Sequence, residues 1–306
     1  MSIATLPYKL SLGPLQFHWP KQVMLDFYRD IESTNVDIVY LGETVCSKRR
    51  EFGYGDWMDV AERFLASGKE VVLSTLALVE ARSEIGYMKR LCDNEQFLVE
   101  ANDMSAVRML AGDTAFVGGA TLNIQNQISL KILVDQGLVR WVAPHEMSAS
   151  VMTAVAANSA DEIECEVFGW GRMPMAYSAR CYTTRALDIP KDQCKNCCIQ
   201  YEDGLMLSTR DDEDFLVING IQTMSAKTTC LAREFQSGEH GADILRINPQ
   251  ALGTSSIIKL LDQLRNESAN ATAVTDEMAK FAPDGLCNGY WYGAPGMDYC
   301  DGIANR

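Results

Sequence analysis

Along most of the chain, a short run of β-branched and apolar residues gives way to a polar turn. Apolar residues spaced three or four apart then follow. The first pattern suits a strand buried on both faces, and the second lays one apolar stripe along a helix. KLSLGPL (9–15) precedes a helix near 21–33, and VDIVYLG (36–42) precedes DWMDVAERFLAS (56–67). EVVLSTL (70–76) leads to ALVEARSEIGYMKRL, QFLVEAND (96–103) to a short helix near 104–110, and TAFVGG (114–119) to LNIQNQISLKILVDQ. LVRWVAP (138–144) leads to HEMSASVMTAVAANS, and EIECEVFG (162–169) comes next. Later, FLVINGIQ (215–222) leads to a helix over AKTTCLAREFQSG, and ADILRINP (242–249) leads to SSIIKLLDQLRNE.

Repeated βα units imply parallel strands with their crossover helices outside. About eight such units predict an irregular (β/α)8 TIM-like barrel, with an open doubly wound sheet as the competing arrangement. Residues 1–267 are expected to form the barrel, with 182–214 as a cysteine-bearing insertion in which LMLSTRDDEDFLVI folds as an antiparallel hairpin. Residues 268–306, rich in Gly and aromatics, are expected to pack on the barrel as a C-terminal cap.

Composition changes this picture in three ways. The chain has 306 residues, 47% of them hydrophobic, enough for a large core. Asp and Glu number 41 against 27 Lys and Arg, a net charge of −14 that repels phosphate backbones, so no nucleic-acid partner is expected. No stretch approaches the roughly 20 apolar residues of a membrane span, and the N-terminus lacks a basic start followed by an apolar run. A cytoplasmic protein with no membrane span is therefore expected. In that compartment its ten cysteines serve as metal ligands, redox groups or core filler rather than disulfides.

In a barrel of this kind, chemistry collects where strands end. The rim positions are Glu43, Cys46, Lys48, Arg49 and Arg50 after the second strand, and Asn102 and Asp103 after the fourth. Asn123 follows the fifth, and His145 and Glu146 follow the sixth. Gly171, Arg172, Arg180 and Cys181 follow the seventh, while Arg246 and Asn248 end the last. Cys92 and Cys230 fall among apolar neighbours in helical stretches, and Cys165 falls inside a strand. These three read as buried filler. Cys181, Cys194 and Cys198 instead follow a C-x12-C-x3-C spacing on the insertion, and Cys46 shares their rim. Four thiolates suit an iron–sulfur cluster or a structural zinc. Adjacent Cys197 offers a rival C-x2-C step, and the spacing does not choose between it and Cys198. A cysteine nucleophile would need a histidine. Of His18, His145 and His240, only His145 falls on the predicted rim.

EVFGWGRMPMAYSARC (166–181) resembles the signature of the peptidase U32 family, with Glu166, Phe168, Gly171 and Cys181 in register. LGETVCSKRREFG and EAND resemble that family's strand-end motifs. Pro174 stands where the general signature has Cys, and Ala179 where it has Gly. GRMPMAYSARC and the tail CNGYWYGAPGMDY (287–299) are similar instead to the UbiV branch of the family, which serves ubiquinone biosynthesis. The resemblance implies an irregular barrel and a [4Fe–4S] cluster held by Cys46, Cys181, Cys194 and Cys198, with Cys197 as the substitute ligand. It implies a heterodimer with a UbiU-like U32 protein, working with a UbiT-like sterol-carrier protein. Their joint task is oxygen-independent hydroxylation of a ubiquinone precursor ring, with prephenate as the oxygen source.

Catalytic contenders are Glu43, Arg49, Asn102, Asp103, Arg172, Arg180 and Arg246. Arg49, Arg50, Arg172, Arg180 and Arg246 suit the carboxylates of a small acid, or else pair internally with Glu43, Asp103 and Glu166. The tail aromatics Tyr290, Trp291 and Tyr292 either line a greasy cleft for the quinone precursor or seal the barrel. The alternatives are a U32-type RNA hydroxylation factor and a zinc-stabilised, non-catalytic partner subunit.

Overall fold

Strands of four or five residues that are apolar on both faces need cover on both sides. A sheet that closes on itself supplies the inner cover, and crossover helices supply the outer one. The computed structural model describes residues 8–112, 114–157, 163–236 and 241–301, so His240 lies outside the described residues. Its barrel begins with β1 (Lys9–Leu12), α1 (Lys21–Glu32), β2 (Ile38–Leu41), α2 (Tyr54–Ala66), β3 (Glu70–Ser74) and α3 (Arg82–Cys92). It continues with β4 (Leu98–Ala101), α4 (Met104–Leu110), β5 (Phe116–Gly118), α5 (Gln127–Val134), β6 (Leu138–Val142), α6 (Ala149–Ala157) and β7 (Glu164–Tyr177). After α7 (Tyr182–Ala186), β8 (Leu205–Ser208), β9 (Asp214–Asn219) and β10 (Gln222–Cys230), it closes with β11 (Ile244–Ile247) and α8 (Thr254–Arg265). α9 (Ala271–Ala279) and β12 (Leu286–Cys287) form the tail.

Each of β1 to β7 pairs in parallel with the next. β11 pairs in parallel with both β7 and β1, which closes an eight-stranded barrel. The irregularity lies in β7. Its first half belongs to the barrel, and its second half pairs antiparallel with β10. Between the halves, Gly171 adopts φ +124°, and an added Cβ there would stand 2.9 Å from Asn248. The strand therefore leaves the barrel at a glycine, as sharp strand bends do.

One sequence expectation, the helix over AKTTCLAREFQSG, fails here. FLVINGIQ begins as the expected strand, but AKTTC after it is a second strand and not a helix. They form the β9–β10 hairpin, joined by a two-residue loop that starts with Gly220 at φ +65°. Glycine at the first central position of such a loop matches the twist of the flanking strands. Cys230 accordingly ends a strand rather than sitting on a helix, although it is buried as filler should be. The expected hairpin over LMLSTRDDEDFLVI is present as β8 and β9.

The main core lies between the barrel and its helices, and a small apolar layer of Ile38, Tyr40, Val72, Val117, Val142 and Ile244 fills part of the interior. Charge fills the rest. Arg246 donates to Glu166 at 2.7 Å and to Glu100 at 2.8 Å, and its guanidinium lies 4.1 Å from the centre of the Tyr40 ring. Arg140 donates to Glu164 and Glu70, with Nη1 3.3 Å from the Tyr40 hydroxyl. Burial alone would raise the Glu166 pKa, but Arg246 and then Arg140 outweigh it and hold it below the ordinary value. No helix among the described residues is long and apolar enough to cross a membrane.

Candidate functional site

The β1–α1 loop, the β2–α2 loop and the segment from Cys181 to Glu202 meet at one point on the rim. Cys181 caps α7, and Thr184 donates back to its carbonyl at 3.0 Å. Beyond α7 the chain makes two 3-10 turns, over Lys191–Gln193 and Cys197–Gln200. Lys195 and Asn196 between them are both left-handed, at φ 42° and 55°. Asparagine tolerates that region, but lysine seldom enters it, so this tight reversal is held by its surroundings. The reversal places Cys194 and Cys197 side by side, with the Cys197 N–H donating to the Cys194 carbonyl at 2.9 Å. Trp19 Nε1 donates to the Glu202 carbonyl at 2.7 Å and ties the segment to the β1–α1 loop.

The five thiols are free and half-buried. Cys198 interacts electrostatically with Cys181, Cys197 and Cys46, and Cys197 with Cys181 and Cys194. Cys198 is therefore the link between the insertion and the β2–α2 loop. Cys197 stays on the insertion side. Burial pushes the Cys46 thiol up to about 11, opposed by the Lys48 backbone N–H, and it also raises the Cys198 thiol. Among the described residues no three His, Cys, Asp or Glu side chains are drawn close enough to hold a single metal ion.

Arg49 is the hub. It is buried, donates to the Gln16 carbonyl at 2.6 Å and to Asn219 Oδ1 at 2.7 Å, and stands 3.8 Å from Glu43. It also hydrogen-bonds Cys198. Glu43 accepts from the backbone N–H groups of Val45 and Cys46 at 2.8 and 2.9 Å, which folds the loop that presents Cys46.

His18 was not on the expected rim, yet its Nδ1 lies 3.3 Å from Cys198 Sγ and its Nε2 lies 2.6 Å from Glu51 Oε2. The histidine beside a thiol is thus His18, not His145. The only hint in the sequence was a His-Trp pair in the first loop. Cys198, His18 and Glu51 have the outline of a nucleophile, a base and an orienting acid. The chemistry falls short, because burial raises the Cys198 thiol while an activated nucleophile needs a lowered one.

The other contenders scatter. Arg246 is locked inside the barrel. Asn102 is buried there too, donating to the Thr75 carbonyl and to Glu100 at 3.0 and 3.1 Å. Among the described residues Asp103 pairs with no arginine and instead caps α4, accepting from the Ser105 N–H at 2.8 Å. Arg172 pairs with Asp284 and the Ala226 carbonyl. Arg180 is exposed beside Cys181. The tail aromatics seal rather than line a cleft. Tyr290 and Trp291 border a cavity of about 30 Å³, room for a water but not a ring. Tyr292 donates to Glu234 at 2.9 Å.

A larger cavity, about 310 Å³, opens on the far side of the β2–α2 loop. It is bordered by Glu43, Ser47, Arg49 and Arg50 together with Phe52, Tyr54, Tyr87 and Arg90. The four residues from 52 onward were not singled out in the sequence. Those from α3 could not be, because periodicity gives a helix face but not which loop it will meet.

The model of peptidase family U32 matches residues 28–299. Among solved structures, that of the U32 peptidase Mk0906 is similar over 82% of this chain and 95% of its own, at 10% identity and a TM-score of 0.45. An uncharacterized B. cereus protein is similar over 86% of this chain and 65% of its own, at 10% identity and a TM-score of 0.43. Plasmodium falciparum HPPK-DHPS A437G is similar over 85% of this chain and 47% of its own, at 14% identity and a TM-score of 0.40.

Proposed function

Because the chain belongs to peptidase family U32, we propose that it is the [4Fe–4S]-binding subunit of an oxygen-independent hydroxylase for a ubiquinone precursor ring, of the UbiV kind. One observation carries the reading. Cys46, from the loop after the second barrel strand, and Cys198, which interacts in turn with Cys181 and Cys197, flank the buried cation Arg49. A set of free thiols with a fixed positive charge suits an anionic thiolate-held group.

Cys46, Cys181, Cys194 and Cys198 would hold the cluster. Bound there, it would supply one-electron chemistry in a shielded pocket. The protein's own residues have separate tasks. Arg49 donates to the Cys198 sulfur and offsets its charge. Glu43 fixes the loop that carries Cys46. Glu51 orients the His18 ring against Cys198. Prephenate as oxygen source, a UbiU-like partner and a UbiT-like carrier complete the reading, and they rest on the resemblance of the signature and tail. The net charge of −14 weighs against the RNA-directed alternative.

The test is anaerobic purification with iron, sulfide and zinc quantified. About four iron and four sulfide per chain are expected for one thiolate-held cluster. Cys198→Ala should abolish them, while Cys197→Ala should keep most. A colourless protein with one zinc, or loss confined to the Cys197 variant, would refute the assignment.

A further inference from the structure

We infer that Cys194 and Cys197 are a redox modification site, a pair that closes into a reversible disulfide whenever the segment is free of metal. The backbone already holds the two residues together. The Cys197 N–H donates to the Cys194 carbonyl at 2.9 Å, and Lys195 and Asn196 between them take φ 42° and 55°. This is a two-residue turn with both central residues left-handed. A turn closed in this way brings its first and fourth Cα atoms within about 7 Å. A disulfide spans Cα separations of about 4.4–6.8 Å, so the bond needs little movement of the backbone. The two sulfurs also feel each other's charge.

The neighbouring thiols are engaged elsewhere. Cys198 lies 3.3 Å from His18 Nδ1 and is hydrogen-bonded by Arg49. Cys46 is held in its own loop, where its N–H donates to Glu43. Cys181 also interacts with Cys197, but it caps α7, and among the described residues no backbone hydrogen bond ties the two together. Cys197 is the thiol left over from the proposed ligand set, and Cys194 is the ligand its turn presents to it.

A peroxide is the oxidant. One sulfur attacks a peroxide oxygen, the O–O bond breaks, and a water leaves behind a sulfenic acid. The second sulfur attacks the first, the S–O bond breaks, and a second water leaves. Two thiols thus give up two electrons and two protons, and one hydrogen peroxide takes them. A loop of four residues constrains little of the unfolded chain, so the bond adds little stability and is readily reduced. The consequence for metal rests on the cluster reading. Cys194 in a disulfide cannot ligate, so the oxidised segment is closed to iron until it is reduced. The same bond spares Cys194 the irreversible steps beyond sulfenic acid.

Peptide mapping of the full chain tests the bond. The protein is purified anaerobically, stripped of metal with a chelator, treated with one equivalent of hydrogen peroxide, and blocked with N-ethylmaleimide. Two of its ten thiols should escape the block. Trypsin cuts after Lys191, Lys195 and Arg210, so the bond should appear as DQCK joined to NCCIQYEDGLMLSTR. Fragmentation between Cys197 and Cys198 then names the sulfur, and dithiothreitol should part the two peptides. Cys198→Ser should keep the link and Cys197→Ser should abolish it. No link, a link from Cys194 to Cys198, or a link through Cys181 would overturn the assignment. The consequence for metal has its own readout. After peroxide and then reduction, the parent chain should regain its iron content on reconstitution, and Cys197→Ser should regain clearly less. Equal recovery would overturn the protective role. If the chain never takes up iron, the cluster reading falls, while the DQCK link still decides the disulfide.

Discussion

His145 shows how far a single side chain can depart from its ordinary chemistry. Its ring meets Phe168 edge-on at 4.8 Å, and burial, helped by the Arg246 charge, pushes its pKa down to about 3. In the unfolded chain an ordinary histidine titrates near 6.5. Between about pH 6.5 and pH 3 the unfolded state therefore takes up a proton that the folded state refuses. Stability from this group is complete above that window and is lost as pH falls through it. Urea midpoints at pH 7 and pH 5 should differ less in His145→Leu than in the parent, and identical pH dependence would rule the effect out. The rim histidine read from the sequence is thus a neutral packing group, while His18, from the first loop, reaches a thiol.

The β9–β10 hairpin carries the next prediction. Asn219 receives a hydrogen bond from Arg49, and Gly220 packs on the same guanidinium. The Gly220 N–H donates to Thr183 Oγ1 at 2.9 Å and thereby docks the turn on α7. An added Cβ at Gly220 would lie 2.8 Å from Arg49 Nη2, at a backbone φ of +65° that L residues avoid. Gly220→Ala should cost about 1–2 kcal/mol in unfolding free energy from the left-handed backbone alone. On the cluster proposal, it should also lower iron content by displacing Arg49 from Cys198. A variant with the stability loss but full iron would show that the hairpin does not position the arginine. An Asn-Gly step between β-branched runs is a hairpin signal. The apolar spacing of the following AKTTCLAREF reads as helical only while the pairing with β7 is out of view.

At the scale of the molecule, the sites are joined by barrel closure. Cys46 belongs to the loop after the second strand and the other thiols to an excursion between β7 and β11, so a group bound by both would clamp the rim across its two halves. On the cluster proposal, stripping the metal with a chelator should leave the barrel folded but loosen the segment between α7 and β8. Limited proteolysis should then cut first within residues 187–204, with the far-UV dichroism nearly unchanged. Equal protection with and without metal would mean that the segment is held by Trp19, Arg49 and the hairpin alone. The barrel itself should resist, because its interior is a paired network. Removing one partner of Arg246–Glu166 would strand a buried charge, at about 3–5 kcal/mol.

The sequence by itself determined repeated parallel βα units and favoured their closure into a barrel, because strands apolar on both faces alternating with striped helices need cover on both sides, while the β11–β1 pairing that rules out an open sheet came only with the structure. It also marked the cysteine-rich segment and Cys46, since strand ends carry residues that core packing does not ask for. Only the tertiary structure decided what those positions face. Arg246 and Asn102 read as rim chemistry, but strand register turns them into the barrel. Asp103 reads the same way and became a helix cap. Arg49 gained its place from Gln16 and Asn219, which lie 33 and 170 positions away in sequence. His18 and Arg90 were silent because a side chain's partner across a barrel rim is set by loop closure, and local pattern carries no record of it.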